Sequence, residues 1–462
     1  MKNFGWFSIA RLGLVQASLG AVVVLTTSTI NRVMVVELAL PALLPGVLVA
    51  LHYLVQIARP RMGHGSDIGG RRTPWIVGGM ALLALGGIAA AVGTAIADTH
   101  RWAGVAVAFA AFTMIGLGVS ASGTSLLVML AKNVAQERRG PAATLVWMMM
   151  IAGFAVTAGL AGSLLDPYSP QRLVAVAAAV SAVAFLTTLL AVWGVEESGA
   201  DAATTQPSAG SVPAKTKFAD ALQEVWSEPV ARHFTIFVFI SMLAYSAQDL
   251  ILEPFAGTVF GFTPGSSTRL SGVQHGGVLL GMILVAAAGL IGARMPLASP
   301  LRHMGSLRAW TVGGCIASAL AMLALTCAGF AGPGWPLKVN VFVLGVANGA
   351  FSIGAIGSMM KLAAQGHASR EGMRMGLWGA AQAIAFGLGG LLGTAASDLA
   401  HFLIASPGAA YAWVFAFEGL MFLVSAVMAW RVGLSRETTT RMSLTQRRNE
   451  SRPNLKVVSW KH

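Results

Sequence analysis

The 462-residue sequence predicts an all-α membrane protein whose twelve transmembrane helices form two pseudo-symmetric halves of six. Three observations predict it: a charge-poor composition, twelve apolar runs of spanning length, and an internal repeat. Hydrophobic residues make up 55% of the chain and charged residues 11%, against roughly a quarter charged in a soluble protein. A helix crosses a bilayer in about 20 consecutive apolar residues. Such runs lie near 12–31, 43–59, 74–97, 102–131, 142–164, 171–194, 233–258, 270–292, 309–330, 337–362, 373–397 and 409–431. One shift along the chain carries Gly118 onto Gly349, Arg139 onto Arg370, Trp147 onto Trp378 and Gly162 onto Gly393. Parallel repeats of this kind are related by an axis along the membrane normal, with a cavity between them.

The expected organisation is a six-helix bundle over 1–194, a linker over 195–232, a second bundle over 233–432 and a basic tail over 433–462. The linker starts with small, polar and Pro-containing sequence that cannot bury a core. It ends in "FADALQEVWSEP", which fits a short amphipathic helix on the membrane surface. The opening "MKNFGWFSIAR" leads straight into a full span, so the first helix serves as its own insertion signal.

A net charge of +13 raises the question of a nucleic-acid partner. Sorting by loop answers it. Of 31 Lys and Arg, all but Arg32, Arg101, Arg172, Arg269 and Lys338 fall on the side that carries both termini, which the positive-inside rule makes cytoplasmic. The charge reads as topology plus contact with anionic lipid, and no nucleic-acid partner is expected. Trp75, Trp102, Trp193, Trp310, Trp413 and Trp430 lie at span ends, as an interfacial aromatic belt requires. Cys315 and Cys327 are about 18 Å apart along one helix and cannot bridge.

Loop 2–3 reads "GHGSDIGGRR". It resembles the major facilitator signature, with Gly63, Asp67, Gly70, Arg71 and Arg72 in register and Ile68 where a basic residue is usual. The resemblance implies a cytoplasmic gating loop on a major facilitator fold. Two marks of proton-coupled drug carriers are missing: "FTMIGLG" has Phe112 where an arginine is usual, and "GFAVTAGLAG" lacks the usual proline. Phosphate loops, clustered His and Cys at metal spacing and nucleophile elbows are absent too, so neither an enzyme nor a protein-bound metal is expected.

Three further stretches, "STINRVMVVELALPALLPG", "GHGSDIGGRRTPWI" and "QDLILEPFAG", resemble the PucC or bacteriochlorophyll delivery family. The likeness spans both halves. It implies assembly of light-harvesting complexes, with bacteriochlorophyll or a precursor as bound cargo. It also implies light-harvesting or reaction-centre subunits and pigment-synthesis enzymes as partners, in a bacterial inner, intracytoplasmic photosynthetic membrane. A secondary transporter of a hydrophobic small molecule and an accessory subunit of bacteriochlorophyll synthesis are the alternatives.

Gln248, Asp249 and Glu253 occupy the seventh span, the two acids about 24 and 30 Å along a core of about 30 Å and so near its periplasmic mouth. Matching "PG" at 45–46 with "PG" at 264–265 puts Asp249 opposite Ile30, close to Asn31, Arg32 and Glu37. Arg32 is therefore expected to bridge to Asp249 or Glu253 and close the cavity, the alternative being side chains that snorkel to the interface. His52 and His275 are the histidines deepest in spans and the candidate axial ligands for a pigment magnesium, against ordinary packing. Gln16, Gly20, Thr27 and Asn31 recur at near-helical spacing as a cavity-facing stripe would. The methionines of "WMMM" and "SMM" offer soft surfaces for a large pigment, although core filling explains them as well.

Overall fold

Residues 4–56, 71–135, 138–196, 223, 226–294, 306–365 and 371–450 are described by the computed structural model. Among them the regular structure is helical throughout. Among the described residues eleven helices are long and apolar enough to cross a membrane: α1 (Trp6–Glu37), α3 (Thr73–Ala97), α4 (Arg101–Asn133), α5 (Arg139–Leu164), α6 (Pro170–Val192), α7 (Pro229–Phe260), α8 (Pro264–Arg294), α9 (Leu307–Ala331), α10 (Leu337–Gln365), α11 (Glu371–Leu403) and α12 (Pro407–Glu450). The twelfth, α2 (Leu43–Val55), is a shorter apolar helix, and the rest of its expected run lies outside the described residues. So do Gly63, Asp67 and Gly70 of loop 2–3, most of the linker and the tail beyond Glu450. Within the expected tail, α12 continues as helix from the apolar Pro407–Arg431 to Glu450.

Local chemistry sets the helix ends. Ser169 and Ser306 cap α6 and α9 by accepting from the N–H of Arg172 (3.1 Å) and Ala309 (3.3 Å), which satisfies donors that a helix start leaves orphaned. Prolines open α3, α6 and α7, where no N–H is missed. Gly261 ends α7 at φ 67°, a left-handed position that glycine adopts without steric cost.

The helices pair in the same pattern twice. In the first half α1 packs on α5 and α6, α3 on α4 and α6, and α2 on α4; in the second, α7 packs on α11 and α12, α9 on α10 and α12, and α8 on α10. Two reciprocal contacts, α2 with α11 and α5 with α8, join the halves, together with the end of α1 against α7 and α8. These are the two pseudo-symmetric six-helix halves of a major facilitator fold. Outward-facing Phe7, Trp102, Leu190, Trp193 and Phe402 are exposed, as side chains facing lipid are. Trp310 instead packs against buried residues of α5, α8 and α10, so it needs no interfacial role.

Small residues let these helices meet backbone to backbone, since apolar contact alone does not drive helix association in lipid. A Cβ added at Gly345 would stand 2.1 Å from the Gln274 carbonyl oxygen, and one at Gly349 2.0 Å from that of Val278. Gly349→Ala must therefore push α8 and α10 apart. We expect it to lower stability by about 1–3 kcal/mol, read as a fall in melting temperature in detergent. Gly313→Ala on α9, where a Cβ meets nothing within 4 Å, is the neutral control.

Glu196, just past α6, braces the opposite end of the first half. Its carboxylate accepts from the N–H of Arg72 (2.9 and 3.0 Å), the N–H of Thr73 (2.9 Å) and the Thr73 hydroxyl (2.8 Å), capping α3. Burial alone pushes the carboxyl up, but the hydrogen bonds from Thr73 and Arg72 outweigh it and hold it below its ordinary value of 4.5. A depressed carboxyl stabilises the fold above the unfolded-state pKa and loses that contribution as pH falls through the folded value. Lowering the pH from 7 to 4 should therefore depress the melting temperature of the wild type more than that of Glu196→Gln; equal losses would contradict the brace.

Candidate functional site between the halves

The seam between the halves begins with a distortion of α1. The hydroxyls of Thr26 and Thr27 both donate to the Val23 carbonyl, at 2.8 and 3.1 Å. Such back-bonding competes with the helix ladder, and here α1 widens into π turns over Leu25–Ile30 and Val33–Glu37. The result is a segment buried on every side from Ser28 to Met34.

That segment carries polar groups onto α7 and α8. Thr29 Oγ1 lies 3.0 Å from Thr268 Oγ1, Asn31 Nδ2 donates to the Leu250 carbonyl at 2.7 Å, and Arg32 Nη2 donates to the Phe262 carbonyl at 2.6 Å. The Ser271 hydroxyl reaches Ser28 Oγ at 3.3 Å. Asn31 and Leu250 are 219 residues apart, which is also the shift that carries Pro45-Gly46 onto Pro264-Gly265. Equivalent positions of two repeats meet where the pseudo-twofold axis passes, so this contact marks the axis.

The expected bridge from Arg32 to Asp249 or Glu253 is not formed. The Arg32 guanidinium pairs with Glu37, five residues along its own chain. Gly257 explains the choice: a Cβ there would come within 3.0 Å of Arg32 Nη2, so the missing side chain opens a slot for the guanidinium one turn beyond Glu253. The snorkelling alternative fails as well, because Glu253 is only 1% exposed. α7 continues to Phe260, about 10 Å beyond Glu253, so the acids lie beneath the end of the bundle and not at its rim. Glu253 Oε1 accepts from the Ser271 hydroxyl while Oε2 has no partner among the described residues; Asp249 Oδ1 is 3.5 Å from Gln274 Nε2. Gln248 is fully buried, and neither atom of its amide has a partner among the described residues.

The two histidines separate. Gln56 Nε2 lies 2.9 Å from His52 Nε2, and the His52 ring stands edge-on to Tyr53. The His275 Nδ1 is 2.8 Å from the Ser271 carbonyl. A carbonyl only accepts, so Nδ1 carries the proton and Nε2 the lone pair. No hydrogen-bond partner meets Nε2 among the described residues, and it is not one of the sealed polar atoms of the interior. Phe154 of α5 packs edge-on to the ring at 5.0 Å. Close by, Ile151, Val278, Met282 and Ile353 form an apolar cluster flanked by Met148, Met150 and Trp310.

The polar stripe on α1 divides at the π turns. Gln16 Nε2 points to Met150 Sδ at 3.2 Å and Gly20 lies against Phe154 and Met150, both on α5, whereas Asn31 crosses to α7. Arg71 is exposed, and Arg72 contributes its backbone N–H to Glu196.

Sequence reasoning missed Asp166, Asp398, Ser271, Gln274 and Glu418. Glu418 of α12 had a usable signal, an acid in the middle of a span; it is 1% exposed, and neither carboxylate oxygen has a partner among the described residues. Ser271 and Gln274 carried none. Among the described residues no group of three or more His, Cys, Asp or Glu is placed to hold a metal ion.

Comparison with known proteins agrees with this architecture. The chain is 50% identical over 434 residues to the bacteriochlorophyll synthase 44.5 kDa chain of Rhodobacter capsulatus, covering 94% of this chain and 97% of that one. It is 31% identical over 442 residues to protein PucC of Cereibacter sphaeroides, covering 91% of each. Among solved structures, a peptide transporter in complex with sulfate superposes with a TM-score of 0.66 at 14% identity, covering 94% of this chain and 96% of that one. A bacterial homologue of the human lysosomal transporter Spinster superposes with a TM-score of 0.61 at 15% identity, covering 92% and 95%. These two likenesses show the fold alone. The model of the PUCC protein family matches residues 29–437, and the chain belongs to that family.

Proposed function

We propose that this multi-pass membrane protein acts in assembling photosynthetic light-harvesting complexes by binding a bacteriochlorophyll or a precursor between its halves and passing it to antenna or reaction-centre subunits. The observation that carries the reading is His275. Its Nδ1–H is anchored on a backbone carbonyl and its Nε2 lone pair is left unpartnered beside an aromatic and methionine-rich wall. Histidines that ligate metals are held this way, with the second nitrogen donating to a carbonyl that fixes ring and tautomer. Neutral imidazole suits the magnesium of a tetrapyrrole, and the apolar wall suits the macrocycle. The name of one relative, a bacteriochlorophyll synthase chain, points to the same pigment chemistry.

Placement in the intracytoplasmic membrane with both termini cytoplasmic belongs to this reading, supported by the distribution of Lys and Arg. The test is purification in mild detergent, followed by an absorption spectrum and identification of co-purifying subunits. A pigment band with antenna subunits is expected; a colourless, solitary protein would overturn the proposal. A second reading, a carrier of a hydrophobic small molecule, is favoured by the buried Glu253 and Glu418 and the half-buried Asp249, for which no cationic partner is found among the described residues. It requires substrate flux in proteoliposomes that those acids control.

A further inference from the structure

Besides the polar seam, two carboxylates tie the halves together, and each belongs to the half opposite the helix it holds. Asp398, near the end of α11, receives the N–H of Ala42 on Oδ1 (2.9 Å) and that of Leu43 on Oδ2 (2.8 Å), so it caps α2. Asp166, just past α5, receives the N–H of Gly265 on Oδ1 (3.2 Å) and the Thr263 hydroxyl on Oδ2 (3.0 Å), so it holds the first turn of α8. Arg269 Nη2 stands 3.5 Å from Asp166 Oδ2 as an exposed ion pair. α5 and α11 are repeat equivalents, and so are α2 and α8. The shift that carries Gly118 onto Gly349 also carries Asp166 to within one residue of Asp398.

Both contacts lie at the same end of the bundle, where α1 and α7 finish and α2 and α8 begin, opposite the linker. The backbones are built to touch there. A Cβ on Gly265 would come within 2.5 Å of the Asp166 carboxylate, and one on Gly46 within 2.0 Å of Thr394 Oγ1 on α11. α2 has no side-chain cap from its own half, so its acceptor comes from across the seam; α8 has its own cap in Thr263, whose hydroxyl oxygen accepts the Ser266 N–H at 3.2 Å, and Asp166 adds a second acceptor from the opposite half while receiving that same Thr263 hydroxyl. A negative group at a helix start also meets the positive end of the helix dipole.

We propose that Asp166 and Asp398 are reciprocal carboxylate clamps that hold the face opposite the linker shut, so that cargo exchanges at the linker face while both are engaged. Separating the halves at the clamped face uncaps α2 and takes the Asp166 acceptor from the first turn of α8 at the same time. Reclosing restores both contacts, which makes closure cooperative across the pseudo-twofold axis. The proposal is independent of what the cargo is.

The test places spin labels on exposed loops of opposite halves at the clamped face, in a Cys315→Ala/Cys327→Ala background carrying Thr99→Cys and Gly334→Cys. A lost helix cap changes an equilibrium by about fivefold, and two independent caps by about twenty-five-fold. Asp166→Ala and Asp398→Ala should each raise the long-distance population relative to the short one by about fivefold, and the double variant by about twenty-five-fold. Arg269→Ala should change little, because an exposed ion pair contributes little. A double variant that elutes as a single species and keeps the wild-type distance distribution would sink the proposal. If the alanine pair does not fold, the Asp166→Asn/Asp398→Asn pair retains a neutral acceptor at each cap. It should give a smaller shift in the same direction, and no shift in that folded protein is equally fatal.

Discussion

His275→Ala is expected to purify with less than about a tenth of the pigment bound by the wild type, read as the ratio of pigment to protein absorbance. The ring is held by the Ser271 carbonyl and packed against Phe154, so its Nε2 cannot swing away to another partner. On the proposed ligation, removing the ring would take away its bond to the pigment's metal and leave the apolar wall, which would attract a macrocycle without fixing the metal. A tenfold loss of affinity corresponds to about 1.4 kcal/mol, modest for a coordination bond. Packing is separated from ligation by rescue: His275→Gly should regain pigment when imidazole is added, whereas lost packing against Phe154 would not be repaired that way. His52→Ala should keep its pigment, because Gln56 stands against the ring nitrogen that would have to bind. Equal pigment in His275→Ala and wild type removes the ligand assignment.

The second large effect is expected at Arg32. The residue is 2% exposed and makes both an ion pair with Glu37 and a hydrogen bond to the Phe262 carbonyl across the seam. Truncation leaves that carbonyl and Glu37 without their donor. Breaking a fully buried pair costs about 3–5 kcal/mol; the Glu37 side chain is 35% exposed and keeps some contact with solvent, so Arg32→Ala should cost about 2–3 kcal/mol. Double-mutant cycles identify the partner. Arg32→Ala with Glu37→Gln should show a coupling of about 1 kcal/mol or more, and Arg32→Ala with Glu253→Gln a smaller one. The opposite ranking would restore the bridge that the linear sequence suggests.

These two positions show how far the chain could be read before it was folded. His275 was legible as a type of residue at a depth, but not as a ligand candidate distinct from His52. What separates them is the neighbour of each ring nitrogen, the Ser271 carbonyl in one case and the Gln56 amide in the other. Arg32 was legible as a base near the axis, and its partner was not. The choice of Glu37 over Glu253 rests on the slot at Gly257 and on the π turns that redirect α1, neither of which spacing on a regular helix can foresee.

By itself the sequence determined the membrane class, the spans, the twofold repeat and the family resemblance. The class and the spans follow from composition and periodicity, because a bilayer demands long apolar helices whatever their neighbours are; the repeat follows from matching the chain with itself, and the resemblance from the quoted motifs. Tertiary structure alone decided who meets whom at the seam: Asn31 with Leu250, Asp398 with the start of α2, Asp166 with the start of α8. Those contacts join residues far apart in the chain through backbone N–H and carbonyl groups that every residue carries. A group common to all residues leaves no mark in the order of side chains, and only its placement by packing gives it a partner.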